Sequence, residues 1–408
     1  MKKILLVSFI LLQSFSYFVL DDPPTFGPKT NKGVISNDDI DEASGLAVGI
    51  NNQGVLWTHN DSGGENRIFA FDTNGVSVGT YYLQGVENRD WEDICIGPGP
   101  DENLHYIYIG DVGDNDGDYK EKFIYRIVEP TIGERFNFVD TISEVSKITF
   151  TYPDNDRDAE TIFLDPLSKD LYIVGKRDTK VRLYKLSFPQ STTETFEAEL
   201  AVKFTLPNDP ESDTPNNYIT GGDISFDGNE ILLKSYQNIY YWNRVDGESI
   251  SETISNEPAI LAYETEPQGE AICWKNDSEN GYYTLSEEKV TFNDITFNFP
   301  AQLYYYPRKS NVTGIEKKRT PNRFILKQNY PNPFNPTTTI SYQLLEDQEV
   351  SLTVYNNQGK VISVLVDKKQ NSGIYNSVFD AKDLPSGIYY YKLILQNYSN
   401  TKKMLLLK

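Results

Sequence analysis

The segment Glu92-Asp93-Ile94-Cys95-Ile96 starts with carboxylates and continues as an apolar run, and a similar pattern returns elsewhere in the 408-residue chain. The other copies are Glu42-Ala43-Ser44-Gly45-Leu46-Ala47, Glu160-Thr161-Ile162-Phe163-Leu164, Asp223-Ile224-Ser225-Phe226 and Glu270-Ala271-Ile272-Cys273-Trp274. Each copy precedes two further runs rich in aromatic and β-branched residues, such as Tyr106-Ile107-Tyr108-Ile109 and then Phe123-Ile124-Tyr125-Arg126. Such runs predict strands, so the chain consists of repeated units of three or four strands.

Repeated units of this size are typical of the blades of a β-propeller. A single unit cannot bury both faces of its sheet, so neighbouring units must stack in a ring. Five blades are visible, and a sixth could lie in the long gaps at residues 125–158 or 185–221. A strand near Val34–Ile40 is expected to close the ring against the last blade. A pair of β-sandwiches is the alternative, but it would not explain the matched motifs.

The composition also indicates a nearly all-β chain. It contains 27 Gly, 21 Pro and 13% aromatic residues, which favours many short strands and turns, and no long segment has helical periodicity. The net charge is −21, and because the C-terminal residues are basic, the negative charge is concentrated in the domain before them. A surface of this sign repels nucleic acid and anionic membranes. We expect a monomer that binds no nucleic acid.

Two rings of polar residues are candidate ligand-binding groups. The innermost strand of each blade lines the central channel, which places a first ring there: Glu42, Glu92, Glu160, Asp223 and Glu270. A second ring follows the second strands and contains Asn60, Asp61, Asn115, Lys176, Lys234, Tyr236 and Glu287. Converging carboxylates cannot all stay ionised and unpaired, so the first ring needs a cation, water or donor groups. The alternative is that each carboxylate caps backbone N–H groups or pairs locally.

One loop has a spacing of oxygen ligands that suits Ca²⁺. Asp111, Asp114, Asp116 and Asp118 surround Gly117, and alternating oxygen ligands with a glycine at the bend are how short loops wrap this ion. The match to an EF-hand loop is partial, because no Glu stands at the twelfth position. A plain Asp/Asn turn is the alternative.

The C-terminal segment has a different pattern. After a polar linker at residues 308–323 comes Gln328-Asn329-Tyr330-Pro331-Asn332-Pro333-Phe334-Asn335-Pro336, then alternating strands up to residue 408. The pattern predicts an immunoglobulin-like β-sandwich. Residues 324–408 resemble the C-terminal sorting domain of the type IX secretion system. The resemblance implies that this domain engages the export machinery and that the protein passes through the periplasm to the outer cell surface or the medium, either released or attached there.

The N-terminus predicts a signal peptide. Lys2 and Lys3 precede the apolar run Ile4–Leu12, and Ser14-Phe15-Ser16 offers a cleavage site after about residue 16. We therefore assign residues 1–20 to the signal peptide and 21–307 to the propeller; a retained anchor is the alternative. No other stretch approaches the length of a membrane span, so no integral membrane segment is expected after the signal is removed.

The propeller region resembles a group of exported bacterial propeller proteins of largely unassigned activity. The shared motifs include His59-Asn60-Asp61-Ser62-Gly63, Asp90-Trp91-Glu92-Asp93-Ile94, Gly110-Asp111-Val112-Gly113-Asp114-Asn115 and Asp158-Ala159-Glu160. More distantly, the chain is similar to phytase-like and SdiA-regulated propellers. The resemblance implies the propeller fold but no particular reaction.

Two functions remain open at this point. The first is a surface propeller that binds a polar ligand (a glycan, a peptide or a small molecule), with Ca²⁺ as a candidate cofactor. The second is a hydrolase of phosphoesters or glycosides whose candidate catalytic residues are Asp61, Glu92, Asp111, Glu160 and Glu270. No Gly-x-Ser-x-Gly motif, phosphate loop or zinc-binding set of Cys and His occurs, so the sequence does not decide whether the protein is an enzyme.

The two cysteines are expected to be buried free thiols. Cys95 and Cys273 occupy the same position of the repeat in blades that are not adjacent. A disulfide needs Cα atoms within about 7 Å of each other, which this arrangement does not provide.

Overall fold

The computed structural model describes residues 23–176, 180–207, 218–267, 269–275, 281–292, 295–309, 324–327, 329–344, 347–356, 360–395 and 398–408. The predicted signal peptide lies outside the described residues, as does most of the predicted linker. The chain divides into two compact units, residues 1–311 and 312–408. Among the described residues, no helix has the length and apolar character needed to cross a membrane.

The first unit is built almost entirely from short strands. Its strands are, in chain order, β1 (Thr30–Val34), β2 (Ala43–Val48), β3 (Val55–Asn60), β4 (Arg67–Asp72), β5 (Ser77–Leu83), β6 (Trp91–Pro98), β7 (His105–Asp111), β8 (Lys122–Val128), β9 (Phe138–Ile142), β10 (Ser146–Thr151), β11 (Ala159–Leu164), β12 (Leu171–Gly175), β13 (Val181–Leu186), β14 (Phe196–Glu197), β15 (Glu199–Phe204), β16 (Ile219–Ile224), β17 (Glu230–Ser235), β18 (Ile239–Asn243), β19 (Ala259–Leu261), β20 (Gly269–Trp274), β21 (Tyr282–Ser286), β22 (Lys289–Phe292), β23 (Ile295–Asn298) and β24 (Gln302–Tyr306). The described residues of this unit also form one short helix, α1 (Ile250–Ser255), which begins with a capping box formed by Ser249 and Glu252.

These strands form a five-bladed β-propeller, in agreement with the predicted fold class. The blades are the sheets β2-β3-β4-β5-β9, β6-β7-β8-β10-β14, β11-β12-β13-β15, β16-β17-β18-β19 and β20-β21-β24-β1. The innermost strands β2, β6, β11, β16 and β20 each contact the next one, and β20 contacts β2, so the ring is closed. Within the described residues, the strands that lie entirely inside the two gaps are outer strands of these blades: β9, β10, β14 and β15.

Two of those outer strands connect neighbouring blades. In the chain β9 lies between β8 and β10 of the second blade, but it pairs in parallel with β5 of the first blade. In the same way β14 follows β13 of the third blade and pairs in parallel with β10 of the second. The long connections that the sequence left unassigned therefore strengthen two blades at their outer edges.

The ring closes by pairing the two ends of the propeller. β1 lies at the outer edge of the fifth blade, antiparallel to β24, with Thr30 opposite Tyr305 and Val34 opposite Gln302. The closing strand was predicted from the sequence near residues 34–40, a few residues too late. Gly27 N donates to Pro307 O at 2.7 Å and extends the pairing.

The core of the propeller lies between the blades. Tyr108 of the second blade and Ile162 of the third share one apolar cluster, while Trp57 of the first blade and Ile107 of the second share another. All residues of β2, β11 and β20 are buried, because each innermost strand has neighbours on both faces. Such uniform burial explains why β11 and β20 are largely apolar after Glu160 and Glu270.

The second unit consists of two antiparallel sheets around one core. Its strands are β25 (Phe324–Leu326), β26 (Thr337–Leu344), β27 (Gln348–Asn356), β28 (Val361–Gln370), β29 (Gly373–Asp380), β30 (Gly387–Leu395) and β31 (Tyr398–Leu406). The sheet orders are β25-β26-β29 and β28-β27-β30-β31. Ile340 and Tyr342 of the first sheet share an apolar cluster with Leu352 and Tyr391 of the second. The predicted strands are present, and the immunoglobulin-like connectivity stays a prediction.

Both cysteines are buried free thiols, as the sequence predicted. Cys95 lies in β6 and Cys273 in β20, and neither forms a disulfide. Burial raises the pKa of both thiols well above the usual value, so they act as small apolar residues.

Candidate functional site

Each innermost strand has a β-bulge near its start, and these bulges lie at corresponding positions in the five blades. In four blades one residue is skipped in the pairing with the second strand: Glu92, Glu160, Thr220 and Glu270. In the first blade Ser44 and Gly45 are skipped together. Bulges re-aim side chains next to functional sites, and here they place three glutamates at one end of the channel.

This register corrects the predicted first ring. Thr220, rather than Asp223, occupies the position of Glu92 in the fourth blade. In the first blade the first paired residue is Ala43, and the residue after it is Ser44. Ser44 rather than Glu42 therefore occupies the corresponding position. A bulge shifts the alignment without changing the length of the apolar run, so the sequence pattern could not reveal it.

The two predicted rings meet in one cluster. The second strand of each blade runs antiparallel to the first, so its end lies beside the start of the innermost strand. Asp61 after β3 and Glu287 after β21 therefore reach Glu270 at the start of β20. We call the seven carboxylates of this region the central cluster; its members are Asp61, Asp90, Glu92, Asp158, Glu160, Glu270 and Glu287.

Carboxylate oxygens in the central cluster form three overlapping groups of three. Within each group one oxygen from each residue lies within 4.8 Å of the other two. The groups are Asp61 with Glu270 and Glu287, Asp61 with Asp90 and Glu92, and Glu92 with Asp158 and Glu160. Asp61 and Glu92 each belong to two groups, so they connect the first, second, third and fifth blades.

The carboxylates of Glu270 and Glu287 lie close to each other in one group. Tyr236 OH donates to Oε1 of Glu270 at 2.6 Å, but Oε2 of Glu270 is buried and has no hydrogen-bond partner. Burial, the charge of Glu270 and a hydrogen bond to that residue raise the pKa of Glu287 to about 11. Two carboxylates in this arrangement require a shared proton or a cation.

Lys176 brings one positive charge to the cluster. Its Nζ forms an ion pair with Oε1 of Glu160. Burial by itself lowers the pKa of Lys176. The carboxylates of Glu160, Glu92 and Glu270 together outweigh this effect, so the pKa is raised above its usual value. The lysine therefore neutralises the group on the side of the third blade, while the groups around Asp61 keep their excess negative charge.

The metal-free propeller should lose stability as the pH rises. Burial and the charge of Glu270 raise the pKa of Asp61 to about 7, and Glu287 is raised further. Above about pH 5 both groups are deprotonated in the unfolded chain but keep their protons in the folded state, Asp61 up to about pH 7 and Glu287 to a higher pH. In these windows each group lowers the free energy of unfolding by up to about 1.4 kcal/mol per pH unit. Thermal unfolding in EDTA at pH 5.5 and 7.5 measures this, and a melting temperature that rises with pH would contradict it.

The remaining residues of the predicted ligand-binding rings have structural partners. Lys234 is fully buried and donates to the carbonyls of Gly269 and Ser235, and burial lowers its pKa to about 8. Asp223 accepts from the backbone N–H groups of Ile224 and Trp274, both at 2.8 Å, and so connects β16 to β20. These two residues lie outside the three carboxylate groups.

Three further predicted residues lie outside the central cluster. Asn60 donates to Asp39 O at 2.8 Å and to Oδ1 of Asp41 at 2.9 Å. The carbonyl of Glu42 accepts from Asp61 N at 2.8 Å and so positions Asp61, and the Glu42 charge acts on Glu287. Asn115 is exposed in the loop after β7.

The predicted calcium loop is held together by the protein's own donors. Asp111 is buried and accepts from Arg89 Nε at 3.2 Å. Asp114 accepts from Lys122 Nζ at 2.7 Å and from the backbone N–H of Asp118. Asp116 and Asp118 are exposed. An ammonium group thus already neutralises Asp114, and within the described residues no group of three carboxylates includes this loop.

Asp90 and Asp158 are cluster members that were not among the site residues predicted from the sequence. Each lies two residues before a glutamate of the first ring, in Asp90-Trp91-Glu92 and Asp158-Ala159-Glu160. This repeated Asp-x-Glu spacing was present in the quoted motifs and could have identified both residues. Because they precede the innermost strands, they reach the same end of the channel.

Comparison with known proteins identifies the second unit. The model of the secretion system C-terminal sorting domain matches residues 328–407. No curated protein matches the chain.

Among solved structures, a luciferin-regenerating enzyme is 11% identical to this chain with a TM-score of 0.37. The match covers 66% of this chain and 93% of the enzyme's chain. PorZ of Porphyromonas gingivalis, an essential bacterial surface component of the type IX secretion system, is 12% identical with a TM-score of 0.33, covering 90% of this chain and 45% of its own. The Dos1 propeller is 9% identical with a TM-score of 0.29, covering 70% and 95%. Identities and scores of this size support no statement about activity.

The sorting-domain match covers every strand of the second unit except β25, from the segment before β26 to the end of β31. The segment that decides export is therefore separate from the propeller that carries the carboxylate cluster. The chain ends in a C-terminal sorting domain of the type IX secretion system, and the protein is a β-propeller exported to the cell surface or the extracellular space.

Proposed function

We propose that this exported propeller binds a divalent cation, Ca²⁺ in the extracellular setting, at the central cluster, and that it binds a polar ligand through this ion. The observation that carries the proposal is the contact between Glu270 and Glu287. Oε2 of Glu270 is buried without a donor, so a cation between these carboxylates would supply the missing charge.

The donor set favours a hard cation. The three groups contain only carboxylates, which are the ligands that Ca²⁺ prefers, at about 2.3–2.6 Å. Oxygens within 4.8 Å of one another lie close to that distance from a point between them. His59 is not part of these groups; burial lowers its pKa to about 4, and its ring packs edge to face on Trp91.

A bound cation would leave coordination positions for a ligand. Ca²⁺ takes six to eight oxygens, and three carboxylates supply at most six. Hydroxyl or carboxylate oxygens of a glycan, a peptide or a small molecule suit the remaining positions. Lys176 and Tyr236 lie beside the same carboxylates and offer an ammonium and a hydroxyl group for orientation of the ligand.

The test is thermal unfolding of the mature full-length protein, stripped with EDTA and titrated with Ca²⁺. An ion that binds only the folded state raises the free energy of unfolding by about 2.7 kcal/mol at a hundredfold excess over Kd. We expect a saturating upward shift of the propeller transition. An unchanged transition with Ca²⁺, Mg²⁺ and Mn²⁺ would refute the proposal.

Hydrolysis of a phosphoester or glycoside is the second candidate, and the paired carboxylates favour it. Asp61 and Glu92 lie in one group, and burial raises the pKa of both, as general acids and bases often require. Of the other candidates, Glu160 and Glu270 lie in the cluster, whereas Asp111 is bound by Arg89. Equal turnover by the wild type and the Glu92→Gln and Glu160→Gln variants would exclude this assignment.

A further inference from the structure

We infer that the cation lies between Asp61, Glu270 and Glu287, where it connects the first blade to the fifth and so stabilises the closure of the ring. The inference rests on the proposed function and specifies where the ion lies and what it does to the fold. These two blades come first and last in the chain. Loss of the ion should therefore loosen the junction between them before it loosens the rest of the propeller.

One oxygen assigns the ion to this group. Oε2 of Glu270 is buried and has no hydrogen-bond partner, while Oε1 accepts from Tyr236 OH at 2.6 Å. Of the three carboxylate groups, only the one with Asp61 and Glu287 contains Glu270. A buried carboxylate oxygen without a donor is costly, and a cation between these three residues would remove that cost.

The three ligands belong to the blades that close the ring. Asp61 follows β3 in the first blade, whereas Glu270 lies in β20 and Glu287 follows β21 in the fifth. A backbone hydrogen bond crosses the same junction beside them, because Glu288 N donates to Asp41 O at 3.0 Å. An ion held by all three carboxylates would therefore bind both blades where they meet.

Without an ion the same carboxylates oppose closure. The charge of Glu270 acts on Asp61 across the junction, and the charge of Asp61 acts on Glu287. The charge of Lys176 also acts on Asp61, but its ammonium is paired with Glu160. A proton relieves part of the repulsion between two carboxylates. It connects only two oxygens, however, whereas a cation binds all three carboxylates.

The other four junctions are connected by side-chain hydrogen bonds of the chain itself. From the first blade onward these bonds run from Ser44 Oγ to Glu92 O, from Ile162 N to Asp93 Oδ2, from Arg244 Nη1 to Asp165 Oδ1 and from Trp274 N to Asp223 Oδ2, with lengths of 2.6, 3.0, 3.0 and 2.8 Å. None of these bonds involves a residue of the proposed ion site. Removal of the ion should therefore leave these four junctions unchanged and weaken the fifth.

Hydrogen–deuterium exchange of the mature full-length protein, followed by mass spectrometry, tests the inference. In EDTA we expect the amides of β2 and β20 to exchange at least about tenfold faster than those of β11 and β16, because opening of one junction exposes them. At a hundredfold excess of Ca²⁺ over Kd, an opening that releases the ion becomes about a hundredfold rarer. The difference between the two pairs of strands should then disappear.

The outcomes separate this inference from the proposed function. Equal exchange of the four strands in EDTA, together with a calcium shift of the unfolding transition, would overturn the role in ring closure and leave the proposed function standing. No effect of Ca²⁺ on either unfolding or exchange would overturn both.

Glu287→Gln tests the place of the ion, because it keeps the shape of the side chain and removes its charge. In EDTA its β2 and β20 should exchange more slowly than in the wild type, since the repulsion is relieved, and Ca²⁺ should change them little. Loss of packing alone would give faster exchange. The matched control Glu288→Gln alters a glutamate outside the three groups and should behave like the wild type. Full calcium protection of β2 and β20 in Glu287→Gln would contradict the assigned place.

Discussion

Asp61→Asn should abolish nearly all of the stabilisation that Ca²⁺ gives to the protein. At a calcium concentration that stabilises the wild type by about 2.7 kcal/mol, the variant should show little or no shift, because Asp61 belongs to two of the three carboxylate groups. Asparagine has nearly the same shape and can still accept from Ser62 N, as Asp61 does, so the loop should keep its conformation. Thermal unfolding with and without Ca²⁺ measures the effect.

The same variant should be more stable than the wild type when no metal is present. Removal of the half-buried Asp61 carboxylate relieves the desolvation and the repulsion with Glu270 that raise its pKa. A residue that only shaped the turn would give the opposite result, a loss of stability in EDTA and an unchanged calcium shift. Ser62→Ala is the control, because Ser62 is exposed in the same loop and should respond to Ca²⁺ like the wild type.

Deletion of residues 324–408 should keep the protein in the periplasm. These residues contain the entire segment that matches the sorting domain, whereas the propeller closes its own ring through β1 and β24 and needs no strand from the second unit. We expect the wild type at the surface or in the medium and only a trace of the truncated protein there. Cell fractionation and immunoblotting measure the distribution.

A folding defect must be separated from an export defect in this experiment. Full-length Asp61→Asn is the control, since it alters the propeller and leaves the sorting domain unchanged, and it should be exported normally. Circular dichroism of the periplasmic truncated protein should show the β-structure of the propeller. Efficient export of the truncated protein would contradict the role of the second unit.

Most of the fold could be predicted from local patterns. The apolar runs after Glu92, Glu160 and Glu270 became buried innermost strands, because burial on both faces requires uniformly apolar residues. The number of blades could not be predicted in the same way. The gaps at 125–158 and 185–221 contain strands, but only pairing with β5 and β10 shows that they extend existing blades.

The candidate site was predicted in part. Asp61, Glu92, Glu160, Glu270 and Glu287 were identified from the sequence and lie in the central cluster. Glu42 and Asp223 were aligned with them by spacing, but the bulges change the register by a residue or more. The aspartates of the loop after β7 looked like calcium ligands, yet Arg89 and Lys122 approach them from other parts of the blade.

By itself the sequence determined that the chain is nearly all β, that its units form a propeller and that its end is a sorting domain, because each of these follows from short-range periodicity and local motifs. Only the tertiary structure shows that Asp61 and Glu270 belong to one site. They lie far apart in the chain and meet only because the fifth blade packs against the first. The tertiary structure also determines which carboxylates form ion pairs with lysine and which do not. Pairing of this kind depends on strand register and ring closure, which no local pattern encodes.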